Sequence, residues 1–554
     1  MSKAALGILG IAAAVLLLLV GYPFAWLVLG ALGMPEHFGF AALTRALARP
    51  QTIAPLTNTL ILAGGCFLLS MGLGVPLAWA VARSDMKLRR TIRALVALAY
   101  VTPPYLTSLA FIILLGPDAG YINRAIAWAL GTSRGPFNIF SMGGVILVIG
   151  LHAFAFPFFL TESALRALDS SVEESARILG ARPLTTTLRI TLPMVAPAIT
   201  GGALLAAVDS MALFGPQAFL GLPARIVFLP TRIYGVLGGY PPRFAEASAL
   251  SLILVLLTLA GLSLQRKYLD RRSYVTIGNR GAAPSRAALG WWKWPLLLFC
   301  AFVVVLAAVA PVTVLVLASF SRVWTAPPVP GNLTLAHYAT ALFGDQVAAR
   351  GIRNSFILAG SAGLLATTLG LLIAYLDQRT TIRGRRALDY LAILPLGLPG
   401  TVMAVGVLQA FIRPPFRIYG TIWILLAAYI ARFVPLTVRS AQSTLRQIDP
   451  GLEEAARIIG AGWTTTMRRI VVPLARTGLV TAFLLVFIPA LTELSATILL
   501  YTGGTETIAV AIFRIADLGQ LEVVAALSVF TITVILLVSL LLYRLAGREI
   551  AQSN

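Results

Sequence analysis

Two copies of one polar octapeptide, Glu173-Glu174-Ser175-Ala176-Arg177-Ile178-Leu179-Gly180 and Glu453-Glu454-Ala455-Ala456-Arg457-Ile458-Ile459-Gly460, lie 280 residues apart in the chain. Each copy continues through three consecutive threonines and reaches a proline, Pro193 or Pro473. Both copies are flanked by long apolar runs. A charged segment that recurs at matching places between apolar segments indicates that the chain has two similar halves.

The composition is that of a membrane protein. Of the 554 residues, 58% are hydrophobic and 12% are charged, whereas soluble proteins carry about 25% charged residues. Mean hydropathy is +0.88, and apolar runs of about 20 residues match the length of a membrane-spanning helix. The net charge of +22 is spread between the apolar runs, as the positive-inside rule describes. The expected partner is therefore membrane lipid and not nucleic acid.

Twelve apolar segments are evident. Helices are expected in all of them, because a lipid bilayer leaves no hydrogen-bond partner for an open strand edge. The predicted fold class is an all-α polytopic membrane protein with about twelve transmembrane helices, arranged as two parallel six-helix repeats. The segments centre on Val15, Leu68, Leu106, Gly150, Ala207, Leu254, Val305, Leu365, Gly400, Leu426, Leu485 and Val534.

The distribution of basic residues predicts the orientation and the domains. Most of the 43 lysines and arginines fall on one side if the N-terminus is placed inside the cell. This bias predicts that both termini and both octapeptides are cytoplasmic. The two repeats are predicted at residues 1–265 and 294–554, joined by a basic cytoplasmic linker at 266–293.

A second pair of matching segments starts at Asn58 and Asn354, 296 residues apart. These asparagines are expected to cap two equivalent helices. The two octapeptides are closer together in the chain than the two asparagines are. The first half is therefore longer than the second between these landmarks, and we expect its extra length in the loop around residues 116–137.

Each octapeptide has the pattern of a short helical hairpin. Good helix formers fill residues 174–179, and Gly180 can end that helix in the left-handed conformation. Pro183 occupies a favoured first position for a second short helix, and Pro193 opens the next membrane helix. A knob of mixed charge on the membrane surface is suited to docking a protein.

The spacing Glu-Ala-Ala-x-x-x-Gly, nine residues, then Ile-x-Leu-Pro resembles the signature of inner-membrane permease subunits of binding-protein-dependent ABC importers. Residues 174–193 match it with Ser175 in place of Ala, and residues 454–473 match it with Val472 in place of Leu. The resemblance implies two ATPase-coupling loops. Their predicted residues are Glu173, Glu174, Ala176, Gly180, Glu453, Glu454, Ala456 and Gly460.

The resemblance also implies the partners. Each loop would sit in a groove of an ATP-binding subunit, so one copy of this fused chain would pair with two such subunits, and an external binding protein would deliver the solute. The chain itself is predicted to be a transport subunit of the bacterial inner membrane and not an enzyme. No cofactor is expected on it, and ATP would be bound by the partner, because none of its four lysines ends a Gly-x-x-x-x-Gly-Lys-[Ser/Thr] phosphate loop.

Within this family the chain most resembles fused ferric-iron-type permeases. The resemblance rests on residues 493–500, 503–507 and 395–400, whereas Pro103-Pro104-Tyr105 and Leu213-Phe214-Gly215 depart from it. Iron(III) is the solute that it implies. Fused permeases for thiamine, polyamine and aminoethylphosphonate are similar, and these solutes stay open as alternatives.

Asp209 and Glu493 are acids inside apolar runs. Acids at such depth usually face a bundle interior or a water-filled path, so both are candidate pathway residues for a cation; the alternative is a structural hydrogen bond to a neighbouring helix. In a competing class, an ion-gradient-driven secondary transporter, they would be coupling sites. His152 is expected to be a packed, hydrogen-bonded residue. The two cysteines lack metal-ligand spacing, so no metal site is expected.

Overall fold

The structure is a computed structural model that describes residues 3–34, 38–40, 43–44, 48, 50–169, 171–270, 289–326 and 329–552. Most of the predicted linker, at residues 271–288, lies outside the described residues. The domain boundaries therefore stay predictions.

Helices make up both halves of the chain. The first half contains α1 (Gly7–Ala31), α2 (Pro50–Arg83), α3 (Arg89–Val101), α4 (Pro104–Leu115), α5 (Tyr121–Leu130), α6 (Met142–Ala167), α7 (Ser171–Ile178), α8 (Thr187–Ala212), α9 (Leu229–Gly238) and α10 (Phe244–Asp270). The second half contains α11 (Gly290–Phe320), α12 (Gln346–Arg379), α13 (Arg385–Gly397), α14 (Gly400–Phe411), α15 (Ile422–Arg446), α16 (Gly451–Ile458), α17 (Trp463–Leu491), α18 (Ile508–Asp517) and α19 (Leu521–Gln552).

Within the described residues, ten helices are long and apolar enough to cross a membrane. The other two predicted segments, centred on Leu106 and Gly400, are not straight helices. They are the bent pairs α3–α4 and α13–α14, with bends of 101° and 117°. Proline lacks the N–H that would continue a helix, and Pro103 and Pro399 stand at these bends. The all-α polytopic fold is confirmed, with up to twelve spans if each bent pair counts as one.

The halves repeat helix by helix. Helices α2, α3 and α4 correspond to α12, α13 and α14, with the same offset in sequence as that between Asn58 and Asn354. Helices α6 and α7 correspond to α15 and α16, with the shorter offset of the two octapeptides. The additional residues of the first half thus lie between α4 and α6, where the sequence places them. They include α5, which has no helical counterpart between Phe411 and Ile422, a stretch that is fully described.

Helix α5 lies at the end of the bundle opposite the octapeptides and contacts the second half. The Tyr121 hydroxyl donates to the Trp324 carbonyl at 2.5 Å, and the Arg124 guanidinium donates to the Thr325 carbonyl. The Trp128 side chain is 87% exposed. Helix α5 therefore adds contacts between the two halves at this end of the bundle.

The first helix of each half packs on the other half. Helix α1 packs on α14, and α11 packs on α4. A Cβ atom added at Gly406 would lie 2.7 Å from the Pro23 carbonyl oxygen, so only glycine allows this approach of α1 to α14. Small residues commonly permit such close helix packing in membranes. Because the first helix of each half packs on the other half, the apolar core is shared by both halves.

Candidate functional site

We define the first loop as residues 171–186 and the second loop as residues 451–466. Both lie on one face of the bundle, here named the loop face; the opposite face is the far face. The first loop contains α7 and a helical turn at Pro183–Thr186, and the second contains α16 and the matching turn at Trp463–Thr466. The predicted helix start at Pro183 is confirmed.

Each loop runs without a break into the following membrane helix. A π-helical turn, Thr187–Thr191 or Met467–Val471, joins the short turn to the apolar segment. Pro193 and Pro473 are the second residues of the α-helical segments that follow these π turns, in agreement with the prediction, and those segments are continuous with the turns. A continuous helix means that a displaced loop carries α8 or α17 with it.

Glu453 of the second loop is turned towards the protein. Its side chain is 2% exposed, with Oε1 2.9 Å from Arg379 Nε. The Tyr375 hydroxyl donates to the other carboxylate oxygen at 2.8 Å. Arg379 Nη2 also donates to the carbonyls of Leu445 (2.9 Å) and Ile448 (2.6 Å) at the end of α15. The loop is thereby joined to both α12 and α15.

The first loop has the equivalent arrangement with different donors. Glu173 Oε2 lies 3.6 Å from Arg83 Nη1, and the Thr191 hydroxyl donates to Oε1 at 2.8 Å. Arg83 Nη2 donates to the Leu168 carbonyl at 3.0 Å. Arg83 and Arg379 occupy matching positions at the ends of α2 and α12. An inward carboxylate held by an arginine is therefore a feature of both halves.

These contacts correct one interpretation of the sequence. Glu173 and Glu453 are 5% and 1% exposed, because each carboxylate is held by a buried arginine, so they do not belong to the exposed surface of mixed charge. Ala176 and Ala456 are also buried, at 8% and 4%. The role of the predicted loop residues in coupling stays a prediction.

Four apolar side chains form the exposed tips of the loops. Ile178 and Leu179 are 85% and 87% exposed, and Ile458 and Ile459 are 86% and 84% exposed. Sequence reasoning did not single them out, although the apolar pair before a glycine in both copies was a usable signal. Paired apolar tips on one face are a feature of surfaces that bind proteins.

A glycine turn presents each tip. Gly180 and Gly460 have φ angles of +83° and +85°, as the sequence predicted for the end of the octapeptide helix. No atom lies within 4 Å of a Cβ built at either position. Backbone conformation, and not crowding, therefore requires glycine here.

Glu454 is exposed, in contrast to its neighbour Glu453. It lines a cleft of about 260 Å³ between the second loop and the start of α13, together with Arg385 and Arg457. The cleft thus carries charges of both signs, as expected for a docking surface. The side chains of Glu174 and Arg177 lie outside the part of the chain that the structure describes.

A second candidate site is a central cavity of about 610 Å³. It lies at the bend between α3 and α4 and beside the far ends of α8 and α17. Asp209 and Glu493, the two acids predicted from the sequence, both line it. The other polar side chains that line it are Tyr100, Thr102, Tyr105, His152, Arg432, Thr492, Ser495 and Ser539.

The carboxylate of Glu493 is fully engaged. Oε2 lies 3.2 Å from Arg432 Nε, and Oε1 accepts from the Ala496 backbone N–H at 2.8 Å. The expected structural alternative, a bond to a neighbouring helix, therefore exists for Glu493. Sequence reasoning missed Arg432, although a charge inside the apolar run of α15 was a usable signal.

Asp209 differs from Glu493. Its Oδ2 atom is buried and has no hydrogen-bond partner. None of the ion pairs among the described residues includes it. Asp209 nevertheless shares the cavity with Arg432, and the guanidinium interacts with its carboxyl group electrostatically without forming an ion pair.

His152 is packed as predicted. Its ring stacks on Tyr100 with centroids 5.6 Å apart, and Nδ1 lies 3.4 Å from the Ala99 carbonyl oxygen. His152 and Arg432 occupy matching positions of the two repeats, as do Leu213 and Glu493. The charged pair is thus present only on the second half's side of the cavity.

Residues of both halves meet on the far-face side of the cavity, and we name this group of contacts the seal. Phe214 and Ser495, which follow the far ends of α8 and α17, meet through an N–H···Oγ contact of 3.4 Å. Tyr105 and Leu494 pack with them and are 3% and 4% exposed. Tyr100, nearer the loop face, is 42% exposed. The seal therefore consists of residues from both halves.

Among the described residues, no group of three or more His, Cys, Asp or Glu side chains could hold a metal ion. Cys66 and Cys300 are buried separately. The cavity has two acids, one of them neutralised by Arg432.

Comparison with known proteins places these features in context. Residues 72–275 and 366–551, more than half of the chain, both match one family model, described as "binding-protein-dependent transport system inner membrane component". A Haemophilus influenzae protein named as a ferric transport system permease is 29% identical over 85% of this chain and 74% of its own length. A ferric transport system permease of Actinobacillus pleuropneumoniae is 27% identical over 92% of this chain and 73% of its own length. A Salmonella paratyphi A protein named for 2-aminoethylphosphonate transport is 29% identical over 43% of this chain and 89% of its own length.

Proposed function

Because the chain belongs to the family of binding-protein-dependent transport system inner membrane components, we propose that it forms the complete membrane pathway of an ATP-driven importer. It is a multi-pass inner-membrane transport subunit. Both halves of the pathway are fused in one chain, so one copy would serve where two separate permeases assemble elsewhere.

The observation that carries the proposal is the pair of exposed apolar tips on the loop face. Ile178 and Leu179 form one tip, and Ile458 and Ile459 form the other. Apolar side chains exposed to this extent are stabilised when a partner covers them. Two equivalent tips fit two copies of one partner, each accepting a tip in a groove.

The partner in this proposal is an ATP-binding subunit, present in two copies. ATP is bound there, since this chain contains no phosphate loop. The loop face and both termini are then cytoplasmic, in agreement with the positive-inside bias. An external binding protein delivers the solute to the far face. The coupling role of the predicted loop residues, from Glu173 to Gly180 and from Glu453 to Gly460, belongs to this proposal.

The central cavity is the proposed path of the solute. Asp209 presents a buried carboxylate oxygen without a hydrogen-bond partner, whereas Glu493 is paired with Arg432. The far-face seal around Phe214 and Ser495 closes the cavity to the outside in this conformation. Closure of two ATPases around ATP would move the loops, and α8 and α17 with them, and open that seal.

Iron(III) is the proposed cargo. The two ferric permeases compared above are similar over most of this chain. A cation is also the charge type that Asp209 attracts.

A zwitterion such as 2-aminoethylphosphonate is the second candidate cargo. The Salmonella protein named for its transport is similar to 43% of the chain. The cavity is also lined by both a carboxylate, Asp209, and a guanidinium, Arg432. These two groups could receive an ammonium and a phosphonate.

Reconstitution tests the function and the cargo together. The chain is placed in liposomes with a phosphate-loop ATPase encoded in a neighbouring reading frame and the cognate binding protein loaded with either iron(III) or 2-aminoethylphosphonate. We expect uptake only with both partners and with hydrolysable ATP. Uptake by the chain alone under a proton or sodium gradient would instead establish a secondary transporter. Uptake of the phosphonate and not of iron would transfer the assignment to the second cargo.

A further inference from the structure

We propose that Arg83 and Arg379 are positioning residues that fasten each loop to the second long helix of its own half. Each loop and its helix, α2 or α12, then move as one body. This inference rests on the proposed coupling to an ATPase. It adds a defined route by which the movement reaches the far-face seal.

The geometry at the second loop joins three elements. Arg379 at the end of α12 contacts Glu453 of α16 at 2.9 Å and the Ile448 carbonyl at the end of α15 at 2.6 Å. Tyr375, one turn earlier on α12, donates to the same carboxylate. Rotation of α16 against α12 would break all of these contacts together.

We name this arrangement, an arginine that contacts a loop glutamate and a backbone carbonyl, the clamp. A second clamp occurs at the first loop, where the surrounding residues differ. Arg83, Glu173 and Leu168 match Arg379, Glu453 and Ile448 in position. The additional donor is Thr191 on the first side and Tyr375 on the second. Both clamps therefore keep the arginine, the glutamate and the carbonyl while the supporting hydroxyl changes.

Energetics argue for a positioning role. A buried ion pair contributes little net stability, because desolvation of the two charges offsets their attraction, yet removal of one partner is strongly unfavourable. The side chains of Arg83 and Arg379 are only 3% and 9% exposed. Apolar residues at these positions would pack without the desolvation cost of two buried charges. The two matched clamps therefore contribute a fixed geometry and not stability.

The far ends of α2 and α12 are tied to the segments behind the seal. Asn58 donates to the Val227 carbonyl at 3.0 Å, and Asn354 donates to the carbonyls of Gly504 and Glu506 at 3.1 and 2.9 Å. The prediction that these asparagines cap helices is wrong, because α2 and α12 begin earlier, at Pro50 and Gln346. Each helix thus connects a clamped loop at one end to the far-face turn after α8 or α17 at the other.

Spin-label distances in the assembled complex test this directly. Exposed Ala455 and Thr368 are replaced by cysteine to report α16 against α12, and Ser175→Cys with Ala455→Cys reports one loop against the other. The native cysteines are buried. We expect ATP to change the loop-to-loop distance and to leave the Ala455→Cys/Thr368→Cys distance unchanged.

The outcomes separate the two ideas. A loop-to-helix distance that changes with ATP in the wild-type background would overturn the clamp and leave the ATPase coupling intact. A loop-to-loop distance that does not respond to ATP would overturn the proposed coupling, and the clamp with it.

The variant Glu453→Gln tests whether the clamp affects transport. It keeps the volume and a hydrogen-bond acceptor for Tyr375 but removes the charge that holds Arg379. We expect solute transported per ATP to fall about 10-fold and the Ala455→Cys/Thr368→Cys distance to broaden. The matched control is Glu246→Gln, which breaks a buried pair with Arg232 (3.0 Å) and Arg243 (2.7 Å) away from the loops; its transport per ATP should equal wild type. Equal coupling in both variants would refute the clamp.

Discussion

Arg432 and Glu493 form an ion pair across the wall of the central cavity, with Arg432 Nε 3.2 Å from Glu493 Oε2. The pair neutralises Glu493 directly, whereas Asp209 forms no ion pair among the described residues. Two acids that looked equivalent in the sequence therefore have different surroundings. The first two predictions separate them.

Glu493→Gln should expose the proposed path to the positive charge of Arg432. We expect uptake of a cationic solute to fall about 10-fold, equivalent to ~1.4 kcal/mol in the barrier, without loss of ATPase binding. Initial uptake rates in proteoliposomes measure the effect. The control is Glu506→Gln, which removes the partner of Arg514 (3.4 Å) outside the cavity. A normal uptake rate in Glu493→Gln would show that Arg432 does not face the transported ion.

Asp209→Asn removes the only cavity carboxylate that forms no ion pair among the described residues. For iron(III), we expect uptake to fall about 10-fold or more, because the apolar cavity then offers no compensating charge. The neighbouring Ser210→Ala should have little effect, since the Ser210 hydroxyl donates to the Ala207 carbonyl of its own helix and carries no charge. Equal rates for both variants would remove Asp209 from the path.

Replacing an apolar tip residue by a charge should prevent docking. For Ile459→Asp we expect the ATPase to be lost from the purified complex, because the side chain is 84% exposed here and would be desolvated as an ion in the partner's groove. The chain itself should fold normally, which its elution profile in detergent checks. Retained ATPase at wild-type stoichiometry would count against the tip as the contact.

Reversal of charge at Glu174 and Glu454 should abolish uptake by weakening the ATPase interface. Glu454 is exposed in the cleft, which already contains Arg379, Arg385 and Arg457, so Glu454→Arg would add a fourth positive charge there. ATPase content of the purified double variant is the measurement. Normal ATPase stoichiometry in that variant would contradict the prediction.

Gly460→Ala should destabilise the second loop by ~1 kcal/mol, because a Cβ is disfavoured at its φ of +85°. Gly462→Ala is the matched control, since Gly462 has φ of −70° and is equally open. Thermal unfolding of the two variants in detergent gives the comparison. Identical midpoints would mean that the turn relaxes without strain.

The octapeptides and the apolar segments were sufficient to predict the repeat, the helical class and the glycine turns, because all three depend on local patterning. The bends at Pro103 and Pro399 are predictable for the same reason. Contacts distant in sequence are not. The pairing of Arg379 with Glu453, and of Arg432 with Glu493, depends on which helix ends meet in the folded chain.

The orientation of a side chain was the second property that could not be predicted from the sequence. Glu453 and Glu454 are adjacent and chemically alike, yet a rotation of about 100° per residue along a helix places one inside and the other outside. Composition identifies an acidic pair but not its inward member. The apolar residues Ile458 and Ile459 were overlooked because exposed apolar side chains run against the usual expectation for a membrane-surface loop.

Helix α5 has a consequence for any partner that approaches the far face. Two identical halves would accept a partner in two orientations, related by a half-turn, with equal free energy. Only the first half carries α5 and its exposed Trp128, so the two orientations contact different surfaces. A difference of ~1.4 kcal/mol would already favour one of them about tenfold. Because the two halves are fused in one chain, every copy of the protein has the same asymmetry and therefore the same preferred orientation of the partner.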